Sequence, residues 1–198
     1  MIEVLAALSL SAAASMRIAL PLLLIGLLYS DDLWANVPIL SQIHPQVVLG
    51  VLVSWSLAEL FLSKERLGQR VLQLVQVVGS PVVGAIVGIT VARTAQMEAW
   101  MSWILGIVGG LLASVLQLVQ IGWFYRLRGL PLWVVFVQDF LCVSLVLLAF
   151  DAPQQGGLIA LLLLWLTIRS SAEWRRWYRA QAKDGDRNNP RKGKQEPD

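Results

Sequence analysis

Residues 68–93 read GQRVLQLVQVVGSPVVGAIVGITVAR and residues 98–124 read EAWMSWILGIVGGLLASVLQLVQIGWF. In the first stretch Gln69, Gln73, Gln76, Ser80, Gly84 and Gly88 recur three or four residues apart. In the second, Gly106, Gly110, Ala113, Gln117 and Gln120 do the same. Such spacing gathers each set on one stripe of an α-helix, and the other positions are nearly all Val, Leu and Ile. The pair therefore reads as a hairpin of two apolar helices. Each carries a seam, small-residued at one end (Ser80, Gly84, Gly88; Gly106, Gly110) and amide-bearing at the other. The hexapeptide VLQLVQ at 71–76 returns at 115–120, placing the glutamines of both helices in the same half of the hairpin.

Outward from this hairpin the chain stays apolar. Of its 198 residues 57% are hydrophobic and 15% charged, where an ordinary soluble domain carries about 25% charged residues. Mean hydropathy is +0.64. Several runs approach the ~20 residues that cross a ~30 Å hydrocarbon layer. The absence of alternating ten-residue strands speaks against an outer-membrane barrel. The fold class is all-α: a polytopic helical membrane bundle with about six transmembrane helices.

The first span runs from about Val4 to Tyr29, interrupted by Arg17 and Pro21. Proline removes a backbone donor and clashes with the preceding turn, so breaks or kinks are expected at Pro21 and at Pro81 in span three. The N-terminal segment carries Glu3 and no Lys or Arg before its apolar run, so it is read as retained and not as a cleaved signal. Further spans cover about Val47–Leu62, the hairpin, Leu132–Phe150 and Leu158–Ile168. Residues 1–180 form the transmembrane domain. Residues 181–198, of mixed charge and without packing residues, form a disordered cytoplasmic tail.

With six spans the termini share a side. Lys64, Arg66, Arg70, Arg126, Arg128 and Arg169 fall on that side, while Asp31, Asp32 and Asp151 fall opposite with Arg93 as the one cation there. By the excess of Lys and Arg in cytoplasmic loops, both termini are expected in the cytoplasm. Trp174, Arg175, Arg176, Trp177 and Tyr178 interleave aromatic and basic groups, as a segment at the level of anionic lipid headgroups does. Nucleic acid is not an expected partner.

One histidine, His44, and one cysteine, Cys142, leave no set for a metal or for nucleophilic catalysis, so neither cofactor nor enzyme activity is expected. Cys142 reads as a packing residue. The candidate polar site is made of Arg17, Glu59 and Asp139 together with Gln73, Gln76, Gln117 and Gln120. Asp139 lies eight residues past Pro131, about 12 Å along the helix, too deep for a short side chain to reach headgroups. A central aspartate costs ~2.5–3.5 kcal/mol by insertion scales, so an Arg17–Asp139 pair is the leading arrangement, with Glu59 as the competing partner. Glu59 also lies near enough to the interface to lean toward it. The glutamines either pair with one another or line a wet cavity, since an unpaired amide in hydrocarbon is costly.

The stretches SAAASMRIALPLLLIGLL, SWSLAELFLSKERLGQRVLQLVQVVGSPVVGAIVG and QDFLCVSLVLLAFDAPQQGGLIALLLLW resemble the domain-of-unknown-function family 4126 (DUF4126), bacterial integral membrane proteins, here of cyanobacterial type. The matching features are Pro21, Glu59, Pro81 with Gly84, and Asp139. Arg17 stands where many members are uncharged, and Gln73 and Gln76 stand where acids are common. The resemblance implies class and location, a bacterial inner membrane or a thylakoid membrane, and no chemistry. A small-solute or ion transporter or channel, and a structural or assembly partner in a homo-oligomer or larger membrane complex, are the two leading functions, with an intramembrane enzyme the least expected.

Overall fold

The protein is described by a computed structural model over residues 2–28, 44–62, 66–127 and 132–183. Seven helices account for these segments: α1 (Ile2–Met16), α2 (Ala19–Leu28), α3 (Pro45–Leu62), α4 (Arg66–Thr94), α5 (Ala99–Leu127), α6 (Leu132–Asp151) and α7 (Pro153–Lys183). Among the described residues there is no strand. Parts of α4, α5, α6 and α7 are long and apolar enough to cross a membrane, while α1 and the Gln46–Glu59 part of α3 are shorter apolar helices. Large side chains such as Leu74, Val78, Ile107, Phe136, Phe140 and Leu162 face outward. A rim of this kind is stable against acyl chains and not against water.

The α4–α5 hairpin closes through its small residues. A Cβ placed on Gly84 would meet the Gly109 carbonyl oxygen at 2.8 Å, and one on Gly88 would meet the Leu105 carbonyl at 2.5 Å. On the facing helix, a Cβ on Gly106 would strike Ile89 and one on Gly110 would come within 2.9 Å of the Pro81 carbonyl oxygen. The backbones touch, which is how membrane helices associate without a hydrophobic driving force between them. α4 ends in a Schellman turn: Met97 N–H bonds the Ala92 carbonyl, Gln96 N–H bonds that of Arg93, and Gln96 takes a left-handed φ of 53°.

At the centre of the bundle stands α1, packed against α4, α5, α6 and α7 together. Every residue from Ser9 to Met16 is buried. Four neighbours fit around one helix because its side chains are small: Ser9, Ser11, Ala12, Ala13, Ala14 and Ser15. Ser9 donates to the Leu145 carbonyl at 2.7 Å and Ser11 to that of Gly84 at 3.3 Å.

The break expected near Pro21 falls at Arg17 and Ile18, between α1 and α2. A proline ring excludes the carbonyl four residues earlier, here that of Arg17, while proline itself is tolerated in the first turn of a helix. Pro81 does not interrupt its helix: α4 runs through it from Arg66 to Thr94. Close packing against α5 supplies the surroundings in which a membrane helix absorbs one lost hydrogen bond.

The contacts fix the directions of the helices. Ala7 packs with Ala92, Ser11 with Gly84 and Ile18 with Gly79, so α1 is antiparallel to α4. Along α6, Ser9 meets Leu145, Ala13 meets Cys142 and Met16 meets Gln138, so α1 is antiparallel to α6 and, across the tight turn at Ala152, parallel to α7. Ile2 therefore sits at the end of the bundle that carries the α4–α5 and α6–α7 turns, and Lys183 lies at the opposite end. The expectation that the two termini share a side bears on Met1 and Asp198, which lie outside the described residues. α3 begins at the turn end, with Val48 against Ile86, and brings Glu59 down to the level of the break. The tail expected to be disordered falls, beyond Lys183, outside the described residues.

Candidate functional site

A helix broken inside a bundle exposes backbone carbonyls at the end of its first half and N–H groups at the start of its second. Each group needs a partner at this depth. Three side chains from two other helices, α3 and α6, converge on the Arg17–Ile18 break and partner backbone groups there.

From α6, Gln138 donates one amide hydrogen to the Met16 carbonyl at 3.1 Å and the other to Gln120 Oε1 on α5 at 2.9 Å. One turn further along α6, the buried Cys142 thiol donates to the Ala13 carbonyl at 3.4 Å. From α3, Glu59 is only 3% exposed and its carboxylate accepts the Ile18 backbone N–H, opposite in charge to the positive end of the α2 dipole. Trp55, one turn back on the same helix, donates its indole N–H to Glu59 Oε1 at 3.0 Å. Glu59 is thus turned into the bundle; it does not lean toward the interface.

Arg17, the last residue before the break, is 5% exposed. Its Nε donates to Asp139 Oδ1 at 2.6 Å. The leading arrangement read from the sequence is the one formed, and Glu59 joins it electrostatically without displacing Asp139. One guanidinium thus faces two carboxylates.

The amide seam divides. Gln117 donates to Gln76 Oε1 across the hairpin at 3.4 Å, whereas Gln120 turns to Gln138 on α6. Gln73 Oε1, Gln117 Oε1 and Ser80 Oγ are buried without a hydrogen-bond partner among the described residues. Of the two readings, pairing is formed between Gln117 and Gln76, and no described cavity is lined by Gln73, Gln76 or Gln117. Trp174, Arg175, Arg176, Trp177 and Tyr178 lie on the last turns of α7, and their side chains fall outside the described residues.

Four contributors were missed in the sequence. Gln138 and Trp55 are polar groups one residue and four residues from the acids singled out, and that adjacency was the available signal. Cys142 gave none. Gly109 seats both Gly84 and Ser11; its doubling with Gly110 marks a helix touched on two sides.

Apolar helices around a broken, charge-bearing central helix define the class: an all-helical protein built to lie in a membrane. The family model described as domain of unknown function (DUF4126) matches residues 4–173, and the chain belongs to that family. No curated protein and no solved structure matches it.

Proposed function

We propose that the chain is a multi-pass protein of the cell membrane that conducts or transports a small solute or ion past the Arg17–Asp139–Glu59 cluster. The observation that carries this reading is the discontinuous helix. Half-helix ends facing each other inside a bundle place backbone dipoles and ionisable groups together at mid-depth, as substrate and ion sites of transporters do. Ionisable residues kept at such depth mark solute paths more often than they serve packing alone. The unpaired oxygens of Gln73, Ser80 and Gln117 extend a polar track along α4 and α5.

In this proposal α3 to α7 make five crossings, and α1 with α2 forms a re-entrant hairpin dipping in from outside. Lys64, Arg66, Arg126 and Arg128 remain cytoplasmic, Asp31, Asp32 and Asp151 remain external, and the N-terminus, with Glu3 and no Lys or Arg, joins the external side. The C-terminal end stays cytoplasmic, where the basic-aromatic residues of α7 meet anionic headgroups.

A second reading, a structural or assembly partner of a membrane complex, is favoured by one observation: Arg17 is already neutralised at 2.6 Å, so the pair also works as a strut. Proteoliposomes holding a trapped pH indicator separate the two. On the transport reading, full-length protein dissipates an imposed proton or sodium gradient, and Asp139→Asn abolishes this while eluting as the parent does. If the gradient holds with the parent protein and Asp139→Asn only lowers the yield, the strut reading stands.

A further inference from the structure

We infer that the cavity between α5, α6 and α7 binds a neutral, lipid-soluble molecule bearing a carbonyl oxygen, admitted sideways from the bilayer. The inference does not depend on transport at the break.

The cavity holds about 300 Å³, and none of its lining residues is charged. That is the lower end of the range for small-molecule sites. Met16, Leu116, Leu141 and Leu163 form apolar wall. Its rim includes Val137 and Leu166, 52% and 46% exposed on the lipid-facing surface, so the way in is through the hydrocarbon.

Four neutral polar side chains interrupt that wall: Gln120, Gln138, Thr167 and Ser170, of which Ser170 is already engaged elsewhere. Gln120 uses its amide oxygen for Gln138, and among the described residues its Nε2 hydrogens have no acceptor. Gln138 spends both Nε2 hydrogens on Met16 and Gln120, leaving its Oε1 without a donor. Thr167, 8% exposed, contributes a hydroxyl with no partner among the described residues. Unmatched donors and acceptors in an apolar setting are costly, and a ligand that satisfies them gains what the empty site forgoes. A free ion or charged solute is excluded because no lining group neutralises it. A hydrocarbon tail alone would leave the amide and hydroxyl unmet. An ester or ketone accepts from Gln120 and Thr167 while its chain lies along the leucines.

The test uses the full-length protein in phosphatidylcholine vesicles with a photoreactive fatty-acid methyl ester carrying a diazirine beside the ester. Adducts are expected within residues 134–141 and 163–170. They should be competed by the unlabelled ester and not by an alkane of equal length. Gln120→Leu should lower labelling about fivefold, as the loss of one hydrogen bond predicts. Thr167→Val, nearly isosteric, should act in the same direction and decides the matter if Gln120→Leu does not fold. Adducts spread evenly over lipid-facing residues such as Val78 and Leu158, equal competition by the alkane, or labelling unchanged in the folded variants would overturn the inference.

Discussion

Asp139 on α6 closes on Arg17 with 2.6 Å between Oδ1 and Nε, and the two lie 122 residues apart in the chain. Both are largely shielded, at 20% and 6% side-chain exposure. Removing one partner of a buried pair leaves an uncompensated charge and costs about 3–5 kcal/mol. Arg17→Met should lower thermal stability in detergent by that order, and Asp139→Leu by less, because Glu59 still faces the guanidinium. The double variant Arg17→Met/Asp139→Leu should recover most of the loss, as read by size-exclusion thermostability. If the two single losses simply add in the double variant, the ion pair does not couple the residues.

Gln138 spans the break, holding the Met16 carbonyl and Gln120 at once. Gln138→Leu removes both bonds and orphans a buried carbonyl, a loss of about 1–3 kcal/mol. Gln138→Glu keeps the shape and cannot donate to either oxygen when ionised, so it should be at least as damaging at neutral pH. Unfolding curves in a denaturing detergent titration would show the order parent, then Leu and Glu variants.

The glycine contacts make a graded prediction. Gly84→Val and Gly109→Val drive a side chain into facing backbone, and overpacking of this kind costs about 1–3 kcal/mol or more. Gly109→Val should be the worse, because Gly109 faces both α4 and Ser11 of α1. Gly50 and Gly122 have nothing within 4 Å of an added Cβ. Gly50→Ala and Gly122→Ala should be neutral or stabilising by up to about 1 kcal/mol. Thermal retention of the monodisperse peak ranks all four.

Gln96 closes α4 from the left-handed region, where a side chain costs about 1 kcal/mol and glycine costs little. Gln96→Gly should therefore raise stability by roughly that amount while preserving the Schellman bonds. A melting temperature at or below the parent's would count against this account of the turn.

Sidedness is open to direct measurement. Single cysteines placed at Ile2 and Ala95 should react with a membrane-impermeant maleimide from the same side, and one at Lys183 only from the other. Cys142, fully buried, should stay silent and serve as the internal blank. Labelling of Ile2 and Lys183 from one side would rule out the helix directions described above.

The hairpin was readable because its glycines recur at helical spacing beside large aliphatic residues, which gives a periodic contrast. The Arg17–Asp139 pair was readable because charge at that depth admits few partners. The central place of α1 was not, and the reason is physical: a helix buried on every side by small residues has no polar face to contrast with its apolar one. Nor was its direction, because loop charges orient only segments that carry Lys or Arg. Glu3 alone is compatible with either side, so six crossings and a re-entrant first hairpin satisfy the same basic residues. Pro21 located the break only to within a turn, since the ring acts on the carbonyl four residues before it.

The seat of α1 has a bearing on biogenesis. Ribosomes deliver this helix before its four neighbours, and Asp139 follows Arg17 by 122 residues. At ~5–20 residues per second the guanidinium waits roughly 6–24 s for its carboxylate. During that interval a 15-residue helix, too short to cross unaided, has to be sheltered at the membrane surface or by the insertion machinery. A helix made before every neighbour it packs against is thus among the last to find its place.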